Sequence, residues 1–243
     1  MLINYRRKRL SGTMASVDMT ERSWEAEYQR GRYAGEPPVA FTEDIVAAAR
    51  EHGLADGLYV GCGNGRNFVP LSRAGLSLTG LDISGTALAQ LAERAPEYAG
   101  RLIHSDLDAV TARYDLVIGI QVFQHGDRAT THAAIARAQQ RLRPGGLFCI
   151  RVNAVGTEVR PRYEITETGH DGGFTVRYLA GSKTGLLIHY FAAAELAGLF
   201  EPARFEPVLP MRIHQNWREP PAPPGQWSQW SQWSQWEAIW RLW

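Results

Sequence analysis

The chain has 243 residues, 44% of them hydrophobic and 21% charged, and 26 basic residues face 25 acidic ones for a net charge of +1. That composition excludes a disordered chain or a fibre, and no apolar run reaches the ~18–20 residues of a bilayer-spanning helix. The near-neutral balance gives no support to a nucleic-acid partner; two cysteines, Cys62 and Cys149, are too few for a disulfide framework and point to a reducing, cytoplasmic setting.

In chain order, residues 1–21 read as a flexible extension. Arg6, Arg7, Lys8 and Arg9 form a basic cluster without the apolar run of a secretory signal behind it, and a second methionine follows at Met14. Residues 22–34 predict a helix with Trp24 and Tyr28 one turn apart on one face. After Pro37-Pro38, Thr42 is placed to cap a helix to His52, with Ile45 on its apolar face and Gly53 ending it, so that 22–55 form a helical cap. Residues 57–60 make a short strand that enters Gly61, Gly63 and Gly65. A helix over 64–73, a strand over 76–81 ending at Asp82, and a helix over 85–94 follow. A short strand over 101–104 ends at Ser105-Asp106, a strand covers 114–121, a helix 129–142, and a strand 147–152.

Strands alternating with helices through short loops predict an open, doubly wound parallel sheet with helices on both faces, here a single domain over 22–243. Residues 153–190 interrupt the alternation; 174–179 and 185–190 can pair as a hairpin, in a segment read as a cover over the ligand cleft. A helix over 192–199 and a strand over 205–213 come next. Prolines and the repeated Trp-Ser-Gln units then fill 220–235, a period of three that fits neither helix nor strand but matches polyproline II. Tandem duplication lengthening a loop explains it; a stacking surface for a ligand or partner is the alternative. Trp236, Ala238, Trp240 and Leu242 alternate onto one face of a final strand.

Functional groups in such sheets gather outside the carboxyl ends of the strands, which singles out Gly61 to Asn67, Asp82, Asp106 and Gln121 to His125. Glycines between a strand and a helix permit a tight turn, and the helix amino end offers free N–H groups to a ligand. An acid ending the next strand can accept hydrogen bonds from both hydroxyls of a ribose. Together they indicate a nucleoside-containing cofactor. Cys62 is read as a small residue lining that cofactor rather than as a nucleophile. His104, His132, His170 and His214 show no metal spacing, and no metal is assigned.

Dinucleotide enzymes favour G-x-G-x-x-G, whereas Val60 to Asn67 spell G-x-G-x-G and resemble the first motif of the class I S-adenosylmethionine-dependent methyltransferases. Leu81-Asp82-Ile83-Ser84 resembles that family's ribose-binding loop, Ser105-Asp106-Leu107 its adenine-edge loop, and Asp115 to Val117 with Val122 to His125 its fourth motif. Leu142 to Gly146 resembles the turn before its fifth strand, and His189-Tyr190 with Glu195-Leu196 the helix before its sixth. Gly65-Arg66-Asn67 and the segment from Trp24 to Pro38 are similar to the tellurite-resistance and thiopurine-type small-molecule branch. Tyr59 departs from the pattern, since an acid usually stands two residues before the first glycine.

The resemblance implies an α/β, Rossmann-like sheet of seven mostly parallel strands with an antiparallel C-terminal strand. It implies S-adenosyl-L-methionine as cofactor, contacted by Gly61, Cys62, Gly63, Asn64, Gly65, Asn67, Asp82, Ile83, Ser105, Asp106, Leu107 and Gln121. The acceptor is expected to be a small molecule held by Trp24, Tyr28, Tyr33 and Gln124, with His125 as general base where the acceptor must lose a proton. RNA or protein methylation, a nicotinamide-dependent oxidoreductase on the same topology, and a non-catalytic adenosyl-binding protein are the alternatives.

Overall fold

The computed structural model describes residues 3–4, 14–31, 33, 35–218 and 231–243. A two-residue strand β1 (Ile3–Asn4), helix α1 (Met14–Gln29) and helix α2 (Phe41–Glu51) lead into the alternating core. That core runs through β2 (Asp56–Val60), α3 (Phe68–Arg73), β3 (Ser77–Asp82), α4 (Gly85–Arg94), β4 (Leu102–His104), β5 (Tyr114–Ile120), α5 (Arg128–Gln139) and β6 (Leu142–Asn153). The cover holds β7 (Tyr163–Thr168), β8 (Phe174–Tyr178) and β9 (Leu187–Tyr190). The chain closes with α6 (Ala193–Gly198), β10 (Phe205–Arg218) and β11 (Ser231–Leu242).

The main sheet has the order β1-β4-β3-β2-β5-β6-β11-β10. Pairings from β1 across to β6 are parallel, and β11 lies antiparallel to both β6 and β10. The expected seven strands are all present, with β1 added at the edge. Both faces are covered. Phe41, Ile45, Phe68, Leu88 and Leu91 of α2, α3 and α4 pack on one side with Tyr59 and Ile118, while Ile135 of α5 and Leu196 of α6 pack on the other with Val117 and Phe148.

Several boundaries differ from the sequence reading, each for a local reason. α1 begins at Met14 rather than Arg22, so part of the expected extension is helical, and it stops at Gln29 because Gly31 and Tyr33 adopt φ of 72° and 64°. Thr42 does not cap α2; its hydroxyl donates to Val39 O at 2.7 Å, inside the turn. α4 and α5 do have side-chain caps, Ser84 accepting from Ala87 N and Asp127 from Thr130 N. The hairpin at 174–190 is present as β8 and β9, and β7 pairs with β8 to complete a three-stranded antiparallel sheet. β7 escaped notice because all six of its residues are exposed, leaving no alternation to read.

The duplicated segment is not a loop throughout. β11 starts at Ser231, so Trp233, Ser234 and Gln235 are strand residues paired with β10, and Gln235 pairs with both neighbours, Asn153 and His214. Its pattern looks unlike a strand because polar side chains point inward. Ser234 is fully buried, its carbonyl accepting from Ala154 N and Thr157 Oγ1. Beyond it Trp236, Ala238, Trp240 and Leu242 pack together as expected, Trp240 stacking on Phe200 at 3.8 Å. Trp227 and Trp230 lie outside the described residues, so the polyproline reading of 219–230 is not addressed.

Candidate functional site

β2 delivers the chain to a turn with three left-handed glycines, Gly61, Gly63 and Gly65, at φ of 68°, 55° and 85°. These angles wrap the loop back onto the tip of β3. The amides of Gly61 and Cys62 both donate to Leu81 O, at 2.8 and 3.1 Å, and that of Gly63 to Asp82 Oδ2 at 2.7 Å. The helix after the loop begins only at Phe68. The expected set of free helix-end N–H groups is therefore replaced by a loop whose amides are bonded to β3.

Asp82 ends β3 with 8% exposure, its other oxygen accepting from Ser84 N at 2.9 Å. Burial pushes its carboxyl above the usual range, against the amides of Ser84 and Gly63 and the nearby His104 that hold it down. A carboxylate so placed is stabilised by further donors from the cavity side, the requirement that two ribose hydroxyls meet.

α1 closes the opposite side. Its Glu25 accepts from the Ser84 hydroxyl at 2.6 Å and from Thr86 N and Oγ1, clamping the helix to the start of α4, and Gln90 donates to Tyr28 O. The Tyr28 hydroxyl reaches the glycine loop so closely that a Cβ on Gly63 would stand 2.3 Å from it. Burial and the neighbouring Asp82 raise that phenol well above its ordinary value, so it stays protonated.

His125 follows β5. Its ring meets Trp24 edge-on at 4.8 Å, and Nε2 lies 3.0 Å from Gln121 O, a carbonyl that can only accept. Nε2 therefore carries the proton and Nδ1 presents a lone pair, buried and without a hydrogen-bond partner among the described residues. Burial, then the Lys183 charge, lower its pKa to about 3 against the Gln121 carbonyl. Gln121 itself holds φ of 59°, a left-handed value that is costly outside glycine.

These groups enclose a cavity of about 230 Å³ lined by Gly61, Asp82, Ile83, Ser105, Asp106, Leu107, Gln121, Trp24, Tyr28 and His125 among the residues expected. Thr20, Val60, Leu81 and Val122 also line it. Thr20 was legible in principle: Thr20, Trp24 and Tyr28 recur every four residues on one face of α1.

Other expected residues stand behind this wall. Cys62 is buried in the core, where burial lifts its thiol well above the ordinary range, which disfavours the nucleophile reading. Gly63 and the buried Asn64 belong to the supporting turn, and Gly65 lies close enough to Leu91 that a Cβ would meet it at 2.3 Å. Asn67 accepts from Val39 N at 3.0 Å, pinning the linker before α2. Tyr33 packs on Trp24 and Tyr28, and Gln124 is buried, its carbonyl accepting from His189 N. Tyr59 does not block the turn; its ring lies in the core against Phe68.

Strand order, the glycine turn at the first core tip and the acid at the second define the class I methyltransferase fold. Residues 58–148 match the family model described as a methyltransferase domain. Over 95 residues it is 35% identical to the ubiquinone biosynthesis O-methyltransferase of Methylobacterium sp. (strain 4-46), in a match covering 37% of each chain. The chain thus matches little more than a third of the length of such curated relatives. The structure of Burkholderia thailandensis 1,6-didemethyltoxoflavin-N1-methyltransferase, bound to its substrate and S-adenosylhomocysteine, superposes with a TM-score of 0.57 at 18% identity, covering 96% of this chain and 93% of that one. TehB from Haemophilus influenzae gives 0.56 at 19% identity over 89% of this chain and 66% of that one. The domain match runs from β2 into β6; α1 and the cover lie outside it.

Proposed function

We propose that the chain is an S-adenosyl-L-methionine-dependent methyltransferase that passes a methyl group to an oxygen, nitrogen or sulfur atom of a small molecule. The observation that carries this is a cavity whose wall joins the strand-tip residues Gly61, Asp82, Ser105 and Asp106 to Trp24, Tyr28 and His125. The methyltransferase-domain match supports it, as do relatives named for O- and N-methylation, one of them holding S-adenosylhomocysteine. S-adenosyl-L-methionine supplies, when bound, a methyl group already activated by its sulfonium leaving group. The task left to the protein is positional: to bring acceptor and methyl to ~3 Å in line, away from water.

Asp82 takes the ribose hydroxyls and Asp106 the adenine amine, Ile83, Ser105 and Leu107 flank the ring, and Gln121 stands at the methyl end. Trp24 and Tyr28 grip the acceptor, with Tyr33 behind them. His125 offers Nδ1 to the acceptor's O–H or N–H. A hydroxyl becomes strongly acidic as its oxygen gains the methyl, so even a base of pKa about 3 suffices to take the proton. No helix among the described residues is long and apolar enough to cross a membrane, and Cys62 and Cys149 are free, buried thiols; both fit a cytoplasmic enzyme of a small acceptor. We read 22–243 as one domain with 153–190 as its cover.

Calorimetry with S-adenosylhomocysteine tests the proposal. One site of micromolar affinity is expected, and its absence from folded protein refutes the reading.

A further inference from the structure

Outside the cavity, α5 brings His132 against His189 and Glu195, which stand six residues apart on β9 and α6. His132 Nε2 lies 2.7 Å and His189 Nε2 2.8 Å from the same oxygen, Oε1 of Glu195, and all three ligand atoms fall within 4.8 Å of one another. We propose that His132, His189 and Glu195 form a binding site for a divalent transition metal ion of the zinc type, with solvent completing the coordination.

Two imidazole nitrogens and a carboxylate oxygen are a donor set suited to zinc, whose bonds of ~2.0–2.2 Å place ligands roughly 3.3 Å apart. The two short contacts need open by only about half an ångström to reach that spacing. Two of the three ligands are already supported from behind. His189 Nδ1 is 2.9 Å from Thr175 Oγ1, a hydroxyl within reach of Glu167, and Glu195 Oε2 accepts from Ala192 N at the start of α6. Such outer hydrogen bonds fix ring orientation in metal sites. His189 and Glu195 are buried, whereas His132 is 28% exposed and leaves an entry path.

Charge points the same way. The guanidinium of Arg128 lies 3.2 Å from Glu195 Oε1, but it also forms a two-pronged pair with Asp171, and its amide donates to Glu167. Three carboxylates, Glu167, Asp171 and Glu195, against one guanidinium leave two negative charges when both imidazoles are neutral. One divalent cation balances them. A metal takes the Nε2 lone pair of each neutral ring, whose one proton then sits on Nδ1, in His189 toward Thr175 Oγ1. Arg128 retains Asp171 throughout.

The site also borders the cavity loop through backbone. His189 N donates to Gln124 O at 2.8 Å and Gly126 N to Leu187 O at 2.9 Å, on either side of His125. Metal binding ties β9, and with it this loop, to α5 and α6.

The test uses the full chain stripped with chelator, then loaded with one equivalent of zinc or cobalt(II). Zinc retained at one ion per chain after gel filtration, a raised thermal midpoint, and the intense visible absorption of four-coordinate cobalt are expected. His132→Ala, at a partly exposed position, and Glu195→Gln, which keeps the side-chain shape, should each weaken zinc binding at least tenfold. Failure of the wild-type chain to retain zinc overturns the proposal, and so does retention unchanged in either variant.

Discussion

The amide of Gly63 donates to Oδ2 of Asp82 at 2.7 Å, so the glycine turn and the acid that follows it nineteen residues later form one hydrogen-bonded unit. Asp82 also holds Ser84 N. Asp82→Ala therefore removes the proposed ribose acceptor and leaves two buried N–H groups unpaired. Affinity for S-adenosylhomocysteine is expected to fall by about 10- to 150-fold, the equivalent of ~1.5–3 kcal/mol for hydrogen bonds to a charged group. Calorimetry measures it; unchanged affinity removes Asp82 from the cofactor site.

Glu25 is the clamp of α1. Burial alone raises its pKa, but the Ser84 and Thr86 hydroxyls and the Thr86 amide outweigh burial and hold it below 4.5. A carboxyl depressed in the folded state stabilises above its unfolded value and loses that contribution as pH falls through the folded one. Amide exchange over 14–29 should thus accelerate on acidification below the ordinary carboxylate range. In Glu25→Ala it should be faster at neutral pH, by the equivalent of about 1 kcal/mol, and no longer respond to acid there. Exchange in that variant indistinguishable from wild type means α1 is held by Trp24 and Tyr28 packing alone.

His125 makes the opposite demand on the imidazole. Its pKa drops from 6.5 to about 3 on folding because burial and Lys183 disfavour the charged ring. The unfolded chain then binds the extra proton between those values, so stability from this residue is complete above about pH 6.5 and declines as pH falls toward 3. Denaturant unfolding of wild type and His125→Asn between pH 5 and 7 should show a flatter pH dependence in the variant. Equal slopes mean the ring is solvated in solution.

How much was readable beforehand follows from where side chains point. β2, β3, β5 and α4 announced themselves because their apolar patterns agree with the burial they reach. Asp82, Asp106 and His125 were expected at or just past strand ends, where a doubly wound sheet collects its ligands, and all three line the cavity. Cys62, Gly65 and Asn67 stand behind the cavity wall because the turn wraps onto β3 and hides residues that an extended reading exposes. The His132, His189 and Glu195 cluster gave no metal-ligand spacing to read, since His132 lies 63 residues from Glu195 and α5 meets α6 only in three dimensions. β11 was shortened by five residues because inward-facing Ser234 and Gln235 mimic a polar loop.

The Trp-Ser-Gln copies at 227–229, 230–232 and 233–235 are identical, so deleting any one of them yields the same chain. After such a deletion the preceding copy can supply Trp, Ser and Gln at the positions of Trp233, Ser234 and Gln235, and the shortened connection changes closure entropy little. Stability is expected to stay within about 0.5 kcal/mol of wild type. Deleting all three copies instead brings Pro223, Pro224 and Gly225 to the positions of Gln232, Trp233 and Ser234. The proline rings remove donors that the β10–β11 pairing uses near Asn216 and Trp217, so the melting midpoint should fall. Thermal denaturation of the two deletions decides it: a single-copy deletion that costs more than about 1 kcal/mol means that the copies are not interchangeable and that the length before β11 is itself fixed by the fold.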